Sequence, residues 1–244
     1  MMQNKNIPAA LNAVAGQLTE YRAPGETIQT DTDCKLTYEI LQWAKTHEDG
    51  TTDDRSIGTV EISRSNKENG AEYHILEKRS GGDLEIYEAN VTTEKSDFGE
   101  SIQNWTLSWH LNERPKERLR VSGKVAGKTL ELDGTIGQKQ SSVTYPVLCP
   151  WIMPFVLVKR GLDEQRSTEF TTVDELTYCK ANQHLHGPDP IQSEINENPL
   201  LAFRHTGQAT LPIHYVFDSQ GRPVFVTFTM LSWILRTIDT SNSP

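Results

Sequence analysis

Two histidines stand one residue apart in His184-Leu185-His186. On a β-strand, residues at i and i+2 leave from one face, as two ligands to one metal ion must. Cys179, Asp174 and Glu175 lie upstream, and His205 or His214 is a conceivable third ligand. The same pair also suits a polar strand end before Gly187-Pro188. The tighter zinc patterns His-Glu-x-x-His and Cys-x-x-Cys are absent. His184 and His186 are the candidate metal residues, and they would serve a lipocalin-like or metal-assisted enzyme.

Other chemistries find less support. Gly-x-Ser-x-Gly does not occur. Cys149 is followed by proline in the most apolar stretch of the chain, where burial raises a thiol pKa and makes it inert. Gly123 to Thr129 ends in Gly-Lys-Thr, but it is one residue short of a P-loop, and the Leu130-Glu-Leu-Asp-Gly that follows alternates like a strand rather than a helix. A hairpin turn at Ala126-Gly127 is expected instead. The carboxylate pairs Asp53-Asp54, Asp163-Glu164 and Asp174-Glu175 are sequence neighbours. On a strand such neighbours point to opposite faces, so they read as solvated surface. No cofactor motif is present, and the residue pattern points away from catalysis.

The aromatic residues are more suggestive. Trp105, Trp109, Trp151, Phe155, Tyr215, Phe217 and Phe225 are the candidate pocket lining, within a wider set that includes Trp43, Phe228 and Trp233. Trp105 and Trp109 share one face of a strand with Leu107. These residues could build the ordinary core of a curved sheet under a helix, or line an apolar ligand pocket between that sheet and the 147–160 segment.

The elements that must position them follow from periodicity. Leu11, Val14, Ala15 and Leu18 form a helical stripe, so residues 7–18 are expected to be a short N-terminal helix. From Cys34 the period becomes two: Leu36, Tyr38 and Ile40; Val60 and Ile62; Tyr73, Ile75 and Glu77; Leu84 and Ile86; Trp105, Leu107 and Trp109; Leu119 and Val121; Leu130 and Leu132. Turn formers separate these runs, and Pro115 is the single proline between Gly25 and Tyr145. Pro146, Pro150 and Pro154 then punctuate an apolar segment, with a helix expected from Pro150 or Pro154 to Lys159 and a stop at Gly161. Strands return over Glu169–Tyr178 and on toward Leu185. Residues 187–199 read as a polar loop. Ile213–Asp218 and Pro223–Thr229 form a hairpin about Gly221, and Met230–Ile238 is a strand or one helical turn.

The chain has 244 residues, enough to bury a real core. It carries 24 Lys and Arg against 33 Asp and Glu, a net charge of −9, which argues against a nucleic acid partner. No apolar run is long enough to span a bilayer as a helix. Residues 7–18 are too polar and short for a signal core, which on its face gives a cytoplasmic protein; removal of a leader would instead make it exported. Cys34, Cys149 and Cys179 are either three separate thiols or include a Cys149–Cys179 bridge.

The order of these elements, a helix, a long meander, a proline-bearing apolar segment leaving through Gly161-Leu162, and the hairpin Tyr215-Val-Phe-Asp218-Ser-Gln-Gly221-Arg-Pro-Val-Phe225, resembles uncharacterised exported bacterial proteins whose curved sheet is similar to the lipoprotein carrier LolA. The resemblance covers residues 34–238 in outline. It implies a half-barrel with an apolar concave face, and it supplies no catalytic residues.

The sequence therefore predicts a mainly β chain forming one domain over 1–244. It would be a strongly curved antiparallel sheet, half-barrel or barrel-like, with a short N-terminal helix and lead-in (1–33), a meander (34–145), an apolar helical segment (146–162), and returning strands with a C-terminal hairpin (163–244). Its expected function is non-enzymatic binding of a lipid, acyl chain or other apolar small molecule. A metal-assisted enzyme and a protein–protein interaction module are the alternatives, and composition leaves the oligomeric state open.

Overall fold

The two-residue alternation that begins at Cys34 becomes eight consecutive strands. They are β1 (Cys34–Gln42), β2 (Arg55–Lys67), β3 (Gly70–Ser80), β4 (Leu84–Ser96), β5 (Gly99–Leu111), β6 (Arg114–Ala126), β7 (Thr129–Gly134) and β8 (Lys139–Ser142). After them come β9 (Val147–Leu148), a helix α1 (Met153–Arg160), β10 (Thr168–Asp174), β11 (Tyr178–Ile191), β12 (Leu200–Gly207), β13 (Thr210–Phe217), β14 (Phe225–Thr227) and β15 (Leu231–Thr240). This is a computed structural model, and it describes residues 21–29, 32–42, 55–80, 82–135, 137–161, 167–191, 200–228 and 230–240. The expected helix at 7–18 lies outside the described residues.

All fifteen strands form one sheet in the order β8-β7-β6-β5-β4-β3-β2-β1-β15-β14-β13-β12-β11-β10-β9. Each half is a meander of sequence neighbours, and the halves join where β1 pairs antiparallel with β15. The pairings are antiparallel except for the short β9–β10 contact, which is parallel. The sheet is not closed into a barrel, since β8 and β9 are its two ends.

The apolar segment behaves as its prolines require. Pro154 sits in the first turn of α1, where its missing N–H costs nothing, and Gly161 ends the helix with φ 92°. Met153, Phe155, Val156 and Leu157 are all buried. The Gly127 turn joins β6 to β7, so Gly123–Thr129 is a hairpin and not a phosphate loop. The C-terminal hairpin is also as expected. Asp218 Oδ1 accepts the N–H groups of Gln220 and Arg222 at 3.0 Å each, and Gly221 takes φ 76°.

One expectation is corrected, one strand is additional, and one open alternative is resolved. Gly187–Ile191 continues β11 rather than opening a loop, and residues 192–199 lie outside the description. The ladder with β12 slips between His186 and Asp189, and such an irregularity accommodates Pro188, which has no N–H to give. Leu200–Gly207 is a strand that no alternation announced. Met230–Ile238 resolves in favour of a strand, β15.

The sheet has two apolar faces. On the core face, Leu36, Tyr38, Ile62, Ile75, Trp105, Tyr215 and Phe217 pack with α1 and the residues before it. On the opposite face, Leu41, Val216, Phe225 and Ile234 are covered by Tyr21, whose hydroxyl donates to the Leu235 carbonyl at 3.1 Å. A buried carboxylate fastens α1 to the sheet. Glu100 accepts from Arg64 Nη2 (2.9 Å), Tyr73 Oη (2.8 Å), Thr93 Oγ1 (2.7 Å) and Lys159 Nζ on the helix (3.2 Å). Burial pushes its pKa up, but Thr93, Arg64 and Tyr73 outweigh that and hold it below the ordinary carboxylate value.

Gly123 of β6 lies opposite Trp105 of β5, and a Cβ there would overlap the indole ring. Gly123→Ala is expected to cost about 1–3 kcal/mol in a urea unfolding titration, the ordinary range for overpacking. Gly25→Ala, with open space around its Cα, serves as the control and leaves the midpoint unchanged.

Candidate functional site

One row of cross-strand partners runs along the core face from Tyr38 through Val60, Glu77, Tyr87 and Trp109 to Leu119. Glu77 is the only carboxylate in that row, and it is fully buried. One of its oxygens accepts from Trp151 Nε1 at 2.6 Å, and the other is bonded by Arg79 Nε. Both oxygens therefore accept from N–H donors, the pattern of a carboxylate. Burial pushes the Glu77 pKa up, while Arg79 and Trp151 pull against it. Arg79 also donates from Nη1 to Glu175 Oε1 (3.3 Å) and lies 5.0 Å from the Tyr87 ring centre.

This network forms one wall of a cavity of about 250 Å³. Pro150, Trp151, Phe228, Leu231 and Trp233 supply apolar surface, Arg79, Asp174 and Glu175 supply charge, and exposed Met230 stands at the edge. Phe228 and Trp233 pack together with ring centres 4.8 Å apart. Asp174 is paired with Lys180 at 2.7 Å.

The Asp174–Tyr178 turn separates this cavity from a second one of about 300 Å³, lined by Tyr87, Leu107, Trp109, Leu119 and Tyr178 among others. The turn carries left-handed backbone at two residues other than glycine, Glu175 (φ 45°) and Leu176 (φ 56°), and closes with Thr177 N–H on the Asp174 carbonyl at 3.0 Å. Left-handed backbone at both central residues is the geometry of a primed hairpin turn, where Asn-Gly is the usual choice. Two contacts hold it here. Leu176 is buried, and its carbonyl accepts from Trp105 Nε1 at 2.9 Å. Because the turn rotates the chain, adjacent Asp174 and Glu175 reach the same cavity. Both reach solvent, as a surface pair should, but the turn brings them to one cavity rather than to opposite faces.

The aromatic candidates are dispersed. Trp151 lines the first cavity and Trp109 the second. Trp105 is buried over Gly123. Phe155 packs edge-on against Tyr73 at 5.5 Å beneath α1. Tyr215 and Phe217 are buried on the core face of β13. Phe225 is on the opposite face, 5.0 Å from the Tyr21 ring, so it does not join the others. Phe228 and Trp233 take its place at the cavity. Arg79 and Glu77 were not anticipated, although their signal is present: both fall in the buried phase of the β3 alternation with Tyr73 and Ile75.

The histidines divide between faces. His184 and His186 do share one face of β11, with ring centres 6.2 Å apart, and His186 Nε2 lies 3.1 Å from Thr206 Oγ1. His205 pairs across the ladder with buried Leu185, so it faces the core instead, with Nε2 3.0 Å from Gln183 Oε1. Among the described residues no group of three His, Cys, Asp or Glu could hold a metal ion. All three cysteines are free thiols; burial pushes Cys149 up to about 12 and Cys34 up to about 11. A Cys149–Cys179 bridge is not formed, and burial raises the Cys179 thiol as well.

No protein-family model matches the chain, and no curated protein matches it. Among solved structures it is similar to the crystal structure of a beta-barrel-like protein of domain of unknown function DUF1849 from Brucella abortus. The two share 9% identity with a TM-score of 0.53, over 87% of this chain and 99% of that one. This is a likeness of fold: mainly β and barrel-like.

Two measurements probe the buried polar groups. Glu77→Ala leaves Trp151 Nε1 and Arg79 without their buried acceptor and is expected to lose about 3–5 kcal/mol in urea unfolding; Glu77→Gln, which keeps an acceptor for Trp151, loses less. Burial lowers the His205 pKa from 6.5 to about 4. The unfolded chain therefore takes up this proton first, so the stability linked to neutral His205 is complete above about pH 6.5 and is lost as pH falls toward 4, by about 3 kcal/mol in all. Unfolding midpoints measured from pH 7 to pH 4 should show this slope, and His205→Asn should flatten it.

Proposed function

We propose that this chain is a single-domain, non-enzymatic binder of a small apolar or amphiphilic molecule, such as an acyl chain, in the cavity bounded by Trp151, Phe228, Leu231 and Trp233. The observation that carries the reading is that aromatic and aliphatic surface from separate parts of the chain converges there beside a few fixed polar groups. That combination is the ordinary make-up of a ligand site. The volume of about 250 Å³ lies just below the usual range of roughly 300–1,000 Å³, so the cavity suits one end of a ligand rather than a whole lipid.

The proposal includes a strongly curved half-barrel of the LolA-like kind. Topology supports the curvature. The two ends of the ladder, β8 and β9, are fourteen strand steps apart, roughly 67 Å in a flat sheet. Residues 143–146 alone connect them in the chain. The ion pair between Arg79 of β3 and Glu175 beyond β10 joins strands far apart in the same order. Export, as in the proteins that the sequence resembles, belongs to this proposal too. No helix among the described residues is long and apolar enough to cross a membrane.

A fluorescence titration with N-phenylnaphthylamine tests the site. Saturable enhancement with one site per chain is expected, and Leu231→Asp, which places a charge on the cavity wall, should weaken it by tenfold or more. Enhancement that is unsaturable, or unchanged by Leu231→Asp, would remove this cavity as the site.

A further inference from the structure

Among the described residues, the charges around the first cavity do not balance. Glu77, Asp174 and Glu175 contribute three carboxylates, and Arg79 and Lys180 contribute two cations. Arg79 is already engaged by both Glu77 and Glu175 and by the face of Tyr87, and Lys180 by Asp174. Glu175 is about half exposed and shares Arg79 with buried Glu77. Among the described residues one negative charge is therefore left over at a cavity whose apolar walls include Trp151, Trp233 and Phe228. Aromatic walls with an adjacent carboxylate favour an organic cation: ring faces attract it, the carboxylate completes its field, and an anion is repelled by the latter. The chain's net charge of −9 draws cations toward it as well.

We propose that the ligand is an amphiphile with an organic ammonium head, and that Glu175 and the Trp151–Trp233 walls recognise that head. This rests on the reading of the same cavity as an apolar ligand site. It assigns Glu175 a second role beside its pairing with Arg79, because a bound ammonium competes for the same carboxylate. A dimension of about 250 Å³ accommodates a trimethylammonium group and a few methylenes.

The test compares hexyltrimethylammonium, hexanol and hexanoate as competitors of N-phenylnaphthylamine on the full chain. The ammonium is expected to displace the probe at concentrations about tenfold lower than hexanol, with hexanoate weakest. Rising salt should narrow the gap. Glu175→Gln, an exposed substitution that should leave folding intact, is expected to remove most of the preference for the ammonium while leaving hexanol unchanged. Equal displacement by ammonium and alcohol, or a preference for hexanoate, overturns the cationic head and leaves the apolar site standing. Failure of N-phenylnaphthylamine itself to bind overturns both readings.

Discussion

A carboxylate as buried as Glu100 stays ionised only if its lone pairs are engaged, because the desolvation of an unpaired charge exceeds what a fold of this size can absorb. Four donors meet that requirement, and they come from separate places: Arg64 on β2, Tyr73 on β3, Thr93 on β4 and Lys159 on α1. The carboxylate thus sets where α1 sits on the sheet. Phe155 then packs on Tyr73, and Arg160 lies over Phe98. The chain just before the helix is fixed at the same time, which puts Trp151 within reach of Glu77. The cavity wall is a consequence of how the helix is tethered, two networks of buried charge being linked by eight residues of helix and its lead-in.

Much of this arrangement was legible from the sequence. The alternation from Cys34 to Gly134 marks seven strands because each has one dry face and one wet one. The helix at α1 was legible because Pro154 and Gly161 bracket it. The returning half was harder. Leu200–Gly207 carries apolar residues in both phases, since β12 is buried on two sides, with Ala202 under Tyr21's cluster and Phe203 in the main core. A strand of that kind shows no alternation. Ile102 is buried out of phase with Trp105 because the β4–β5 ladder slips between Thr92 and Thr93.

The site is less legible in the sequence than the fold, for a related reason. Type and period identify aromatic residues on strands, but not which face of a two-faced sheet they occupy. By type and period alone Phe225 belongs with Tyr215, although the two lie on opposite faces. The informative residues were the charged ones in the dry phase: Arg64 after Val60 and Ile62, and Glu77 and Arg79 after Tyr73 and Ile75. A charge in that phase must find a buried partner, and its partner is far away in sequence. Asp174 and Glu175 escaped because the rule for neighbours on a strand ends where the strand turns.

The pairing of β1 with β15 also bears on the order in which the chain can fold. Cys34–Gln42 is made long before its partner Leu231–Thr240. Hairpins β2 to β8 can assemble from local contacts, and so can β10 to β15. The seam between the halves requires closing the long loop from Gln42 to Leu231, a contact of the slowest class to form. Until it forms, β1 presents Leu36, Tyr38 and Ile40 beside an unpaired ladder edge. A nascent chain at that stage is a template for wrong strand pairing, and it is where a folding chaperone would have the most to protect.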